Sequence, residues 1–116
     1  MVLGWGLTRD GEEELSRSLQ EAEVRTITNT ACELEFPMVV TPSNLCISGE
    51  GGRSTCSGDS GGPLLLQSET SGLYKQVGVT SFGSLPSCQS GIAAGFTRVA
   101  SYLQWIETVT SVIIED

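Results

Sequence analysis

Cys56-Ser57-Gly58-Asp59-Ser60-Gly61-Gly62-Pro63 is the stretch on which the reading of this chain turns. Ser60 stands between glycines and follows an aspartate. A serine that attacks a carbonyl must sit at a tight turn, so that its oxygen is accessible. It also needs backbone N–H groups aimed at the oxyanion that forms, and a base within hydrogen-bond reach. This stretch can supply the first two. Gly58 can take backbone angles closed to other residues, which lets its N–H and that of Ser60 converge. Gly61 and Gly62 leave space for a substrate chain.

The segment Gly58-Asp59-Ser60-Gly61-Gly62-Pro63 resembles the nucleophile motif of the trypsin/chymotrypsin family of serine endopeptidases. Gly4-Trp5-Gly6, Cys32, Cys46, Cys56, Ser81-Phe82-Gly83, Cys88 and Tyr102-Leu103-Gln104-Trp105-Ile106 follow in family order at family-like spacing. The resemblance covers nearly all of residues 1–116, but only the C-terminal half of a family member. Arthropod chymotrypsin-like proteases, brachyurin-type collagenases included, are similar in cysteine count and in Gly95-Phe96-Thr97-Arg98-Val99. The pattern Gly58-x-Ser60-x-Gly62 also fits the nucleophile elbow of α/β-hydrolases. That elbow leads into a helix, whereas Pro63-Leu64-Leu65-Leu66 reads as a strand. Its histidine comes later in the chain, and this chain has zero histidines.

At 116 residues the chain has room for one small domain. Its 39% hydrophobic content is enough for a packed core. With 14 acidic against 6 basic residues, a net charge of -8 argues against nucleic acid as a partner. Four cysteines suggest two disulfides and an oxidising compartment, with three pairings open. No C-x-x-C pair and no histidine stands ready for zinc, so neither metal nor cofactor is expected. No stretch is long and apolar enough to span a membrane. Met1-Val2-Leu3-Gly4 runs straight into Trp5 without a signal peptide. A secreted protein with an upstream portion carrying that signal is therefore expected.

Met1 to Leu7 reads as a strand, and Thr8 to Glu14 as a polar loop with a turn at Asp10-Gly11. Leu15 to Ile27 is ambiguous between a helical face and strand alternation. The resemblance implies a strand around Gln20–Ile27. Thr28-Asn29-Thr30 offers N-caps for a short helix through about Phe36, which Pro37 ends. Cys46-Ile47-Ser48 starts a strand, and Gly49 to Gly52 is a loop. Leu64–Gln67 and Lys75–Phe82 read as strands joined by the loop Ser68–Gly72, and Ile92–Val99 holds another. Ser101 to Gln104 has capping-box form. Apolar positions at Tyr102, Leu103, Ile106, Val109 and Ile113 then predict a closing amphipathic helix. The pattern is all-β, many short strands closed by a C-terminal helix. The resemblance specifies a six-stranded antiparallel Greek-key barrel, the second of the family's two.

The resemblance implies the following roles. Ser60 is the nucleophile, and the N–H groups of Gly58 and Ser60 form the oxyanion hole. Asp59 is the carboxylate that pairs with a new α-ammonium when a zymogen is cut. That terminus belongs to the first barrel, so Asp59 is expected to lack its partner here. Ser54 lies at the base of the specificity pocket, where trypsin-like members carry aspartate. Ser81, Phe82 and Gly83 pair with the substrate backbone like an added strand. Gly83 and Gly95 keep entrance and wall narrow, and Ala94 or Gly95 lies near the back wall. The uncharged pocket implies a preference for apolar or aromatic residues before the cleaved bond. The expected disulfides are Cys32–Cys46 and Cys56–Cys88.

The family's general base and its orienting aspartate come from the first barrel, and neither has a counterpart here. Phe82 replaces a commoner tryptophan, and Leu66 stands where a cysteine often does. The reading that follows is half of a secreted serine endopeptidase, inactive alone. Its expected partners are a polypeptide substrate, the missing N-terminal barrel and protease inhibitors. The alternative is a non-catalytic homologue that binds a partner through the old cleft.

Overall fold

The computed structural model of the chain describes residues 1–83 and 88–114. Among the described residues, seven strands form one antiparallel sheet: β1 (Val2–Gly4), β2 (Gln20–Ala22), β3 (Thr26–Ile27), β4 (Asn44–Ile47), β5 (Pro63–Gln67), β6 (Tyr74–Phe82) and β7 (Ala94–Arg98). Their order across the sheet is β2-β1-β5-β6-β7-β4-β3. The two edge strands, β2 and β3, are neighbours in sequence. Ala22 and Thr26 are four Cα steps apart, at most about 14 Å of extended chain. A flat seven-stranded sheet would hold its edges about 29 Å apart. The sheet therefore curls on itself, and the stretch Gln20–Ile27 brings its two edges together.

That stretch corrects the expected count of six strands. It is not one continuous strand but two. Its first part pairs with β1, Val2 opposite Ala22. Its last part pairs with β4, Thr26 opposite Ile47. Crossing from one partner to the other interrupts the ladder at Glu23–Arg25, although Ser48 N still donates to Arg25 O at 2.8 Å. The helical option for Leu15–Ile27 does not occur.

The helix α1 (Asn29–Glu35) begins where Thr28 Oγ1 accepts from Ala31 N at 3.1 Å and ends at Phe36, before Pro37. Val2, Ile47, Leu64, Ala94 and Phe96 form the main core inside the curled sheet. Cys32, Cys46 and Ala93 form a second cluster, where α1 is tied to β4 by the Cys32–Cys46 disulfide. The Cys56–Cys88 disulfide is also formed.

The C-terminal helix α2 (Leu103–Thr110) departs from expectation at both ends. A 3-10 turn over Val99–Tyr102 precedes it, so Ser101 lies inside that turn and does not act as a cap. The helix stops at Thr110 instead of running on to Ile113. Ser111 adopts a left-handed conformation, φ 60°, with its N–H on Glu107 O. The run Thr108-Val109-Thr110 is β-branched and poor at extending a helix. None of the α2 residues is buried, and Trp105, Val109 and Ile113 present apolar surface to solvent.

Both Cys32 and Cys46 are fully buried, and their bridge spans 14 positions of sequence. A Cys32→Ala, Cys46→Ala double variant is expected to lose about 3 kcal/mol in urea unfolding, the loop-closure entropy for such a span. An unchanged unfolding midpoint would contradict this.

Candidate functional site

The segment from Cys56 to Gly62 connects the disulfide to β5 through successive turns. Asp59 N donates to Cys56 O at 3.0 Å, and Gly62 N to Asp59 O at 3.0 Å. Two further bonds tie it to β6, Gly61 N to Thr80 O at 3.0 Å and Thr80 N to Gly62 O at 2.9 Å. Leu7 N donates to Ser57 O at 2.8 Å, which joins it to the chain after β1. Gly58 and Gly61 take φ of 96° and 86°, the region that favours glycine, so the chain reverses on both sides of exposed Ser60. Neither Gly58 N nor Ser60 N is bonded to another group among the described residues. A Cβ at Gly58 would also press on the Leu15 side chain, at 2.7 Å.

The Asp59 side chain points away from Ser60. Its carboxylate accepts from Gly6 N at 2.8 Å and from Cys56 N at 2.8 Å. The expected ammonium partner is replaced here by two backbone N–H donors, which offset the cost of partly burying the charge. This bond pair explains the glycines of Gly4-Trp5-Gly6. A Cβ at Gly4 would collide with the Asp59 carboxylate, and one at Gly6 would lie 2.5 Å from Oδ1.

Beside Ser60 opens a cavity of about 430 Å³, a size typical of small-ligand sites. Of the residues expected to form a site, Ser54, Gly58, Ser60, Ser81, Phe82 and Gly83 all line it, as do both cysteines of the Cys56–Cys88 bridge. Ser81 reaches it through a bulge: Thr80 opposes Phe96 and Phe82 opposes Gly95, so Ser81 is the extra residue, turned outward. Phe82 is wedged. Its ring meets Phe36 edge-on at 5.2 Å and covers Gly95, where a Cβ would strike the ring.

Ala94 and Gly95 are placed differently from expectation. Both are buried in β7, paired with Ile47 and Cys46, and the wall is made instead by Ile92 and Ala93, which precede them. Thr55, Ser57 and Thr80 also line the cavity and went unread in the sequence. The bulge hides Thr80, because it breaks the strict alternation by which a strand's faces are assigned, while Thr55 and Ser57 lie in the irregular stretch before the Ser60 turn, where no alternation applies. Thr80 is buried, and its hydroxyl has no partner among the described residues.

No described residue lining the cavity is charged. One grouping of metal-ligand types, Asp10 with Cys56 and Cys88, lies nearby. Its two sulfurs are joined in the disulfide, and the carboxylate accepts from Cys88 N and Gln89 N.

An Asp59→Asn variant keeps one acceptor oxygen and turns an amide N–H₂ toward the other N–H. It is expected to destabilise the chain by about 1–3 kcal/mol, the cost of a buried donor left unpaired. Urea unfolding measures this, and a loss below about 0.5 kcal/mol, the level of an ordinary surface substitution, would contradict the bonding described.

The trypsin family model matches residues 1–106. Brachyurin of Leptuca pugilator is 39% identical over 109 residues, which are 94% of this chain and 45% of that protein. Chymotrypsin of Phaedon cochleariae is 42% identical over 107 residues, 92% of this chain and 35% of that protein. A solved structure of HL collagenase superposes with a TM-score of 0.81 at 36% identity, covering 97% of this chain and 46% of its own. The chain thus spans less than half the length of these relatives. On the strength of the family match along nearly its whole length, and of a fold and sequence shared with those proteases, the chain belongs to the trypsin family.

Proposed function

We propose that these residues supply the nucleophile half of a serine endopeptidase active centre. The observation that carries this is the placement of Ser60. It is exposed, flanked by two left-handed glycines, and sits at the mouth of an uncharged cavity.

In this reading the Ser60 oxygen attacks the substrate carbonyl. Gly58 N and Ser60 N, free of other partners among the described residues, stabilise the oxyanion. Asp59 holds the turn in shape from behind through Gly6 and Cys56. The substrate backbone lies along Ser81–Gly83 as an added strand. Its preceding side chain enters the cavity beside Ser54, which favours apolar and aromatic residues. A buried substrate cation would need a carboxylate there, and Ser54 offers none. The base that takes the Ser60 proton comes from outside these residues, since the chain has zero histidines. It belongs to a first barrel that docks on this one, and the exposed Trp105 and Val109 of α2, with Ile113 just beyond it, suit such a partner. The whole protein acts on polypeptides outside the cell, where disulfides persist.

The chain alone should show no turnover of a chromogenic Phe or Leu peptide, because an unactivated alcohol is a weak nucleophile. Joined to a histidine-bearing first barrel, it should cleave after Phe, Tyr, Leu or Met. There Ser60→Ala should lower kcat/KM by at least about 10³-fold. Turnover by the chain alone that vanishes in Ser60→Ala would contradict an external base. A dominant preference for Arg in the joined protein would contradict the pocket assignment.

A further inference from the structure

The cavity wall formed by Cys88, Ile92 and Ala93 belongs to a segment, Cys88–Ala93, with no regular secondary structure; β7 begins only at Ala94. Its backbone N–H groups therefore have no ladder to join; those of Cys88 and Gln89 are bonded at the exposed surface, and that of Ala93 is bonded where the chain is partly buried. Three of them find carboxylates. Cys88 N donates to Asp10 Oδ1 at 2.7 Å, and Gln89 N to Asp10 Oδ2 at 3.2 Å. Gln89 returns the contact, its Oε1 accepting from Asp10 N at 2.8 Å. At the far end Ala93 N donates to Glu35 Oε2 at 2.7 Å. Asp10 stands in the loop after β1, and Glu35 is the last residue of α1. The two acceptors thus reach the wall from separate elements, 78 and 58 positions away in sequence.

We propose that Asp10 and Glu35 are positioning residues that clamp the two ends of the Cys88–Ala93 wall and so fix the width of the cavity. The proposal rests on reading that cavity as the pocket for a substrate side chain. The other supports of the wall leave this task undone. The Cys56–Cys88 bridge fixes only its first residue. Beneath it Gly49 lets the backbone of Gly91 and Ile92 approach so closely that a Cβ there would collide with them. That is contact from one side, without a hydrogen bond to set the spacing. A bond from N–H to carboxylate is roughly twice as strong as a neutral one, which applies to the partly buried Ala93 end, while at the exposed Cys88 end Asp10 holds the strap with two bonds at once. An entering side chain then meets a formed wall and does not have to order it on binding, which is where affinity is otherwise lost.

Amide exchange and indole titration, both followed by NMR on the full chain, test the clamp. Asp10→Ala and Glu35→Leu should each speed exchange within Cys88–Ala93 at least about tenfold, while Leu65 and Thr80 in the sheet keep their rates. Each should also weaken indole binding by about fivefold or more. Glu35→Gln retains an acceptor oxygen and should stay within about twofold of the parent chain. Asp10→Asn, which keeps one of two acceptors, should fall between, and it serves if Asp10→Ala does not fold. Unchanged exchange and binding in Asp10→Ala and Glu35→Leu would overturn the proposal. So would equal acceleration at Leu65 and Thr80, which would mark a role in overall stability only. If the parent chain ignores indole while exchange responds as expected, the pocket reading fails and not the clamp, so the two failures are distinct.

Discussion

The Asp59 carboxylate, held between Gly6 N and Cys56 N, is the interaction on which the rest of the site depends. It joins two pieces of chain that share no ladder: the end of β1 and the turn that carries Ser60. Were the carboxylate turned outward, two N–H groups would be left without partners, at about 1–3 kcal/mol each. The Ser60 turn would also lose its side-chain tether to Gly6, leaving the bond from Leu7 N to Ser57 O as its link to the chain after β1. The bond sets sequence requirements at a distance, because only glycine at positions 4 and 6 leaves room for the Asp59 side chain. Within the family, that carboxylate is expected to take an α-ammonium after zymogen cleavage. Here two backbone donors fill the same need.

From this anchor the site is built outward along β6. The bonds between Thr80 and the Gly61–Gly62 segment carry the position of the Ser60 turn into the sheet. The bulge at Ser81 then turns the next residues toward the cavity, and Phe82 is locked between Phe36 and Gly95. In the proposed reading these residues form one face of a substrate cleft, and the opposing face and the proton acceptor for Ser60 come from outside them.

What could be read from residues alone follows a physical division. The Ser60 turn was legible because Gly58 encodes its backbone angles locally, and it does adopt them; Gly61, expected only to leave space, takes a positive φ as well. The cap at Thr28 and the stop at Pro37 were legible for the same reason. The pairing of the cysteines was not a local matter; resemblance supplied it, and the structure has both bridges. The break at Glu23–Arg25 escaped notice because it follows from sheet closure, a property of the whole curl. The early end of α2 escaped because apolar spacing outweighed a β-branched run that was present all along. Asp10 read as an ordinary turn residue, and Glu35 as one more position of the short helix ending near Phe36. Their partners lie 58 or more positions away, and no local pattern marks them.

The most direct measurement is hydrogen exchange at the amides of Gly6 and Cys56 in this chain, read residue by residue by NMR. If the Asp59 carboxylate holds the Ser60 turn without help from a first barrel, both amides should exchange about as slowly as Leu65 and Arg98 in the sheet, whose N–H groups bond away from the turn. Exchange at the rate of an open loop at Gly6 and Cys56, with Leu65 and Arg98 still protected, would show the turn unformed and would contradict the account.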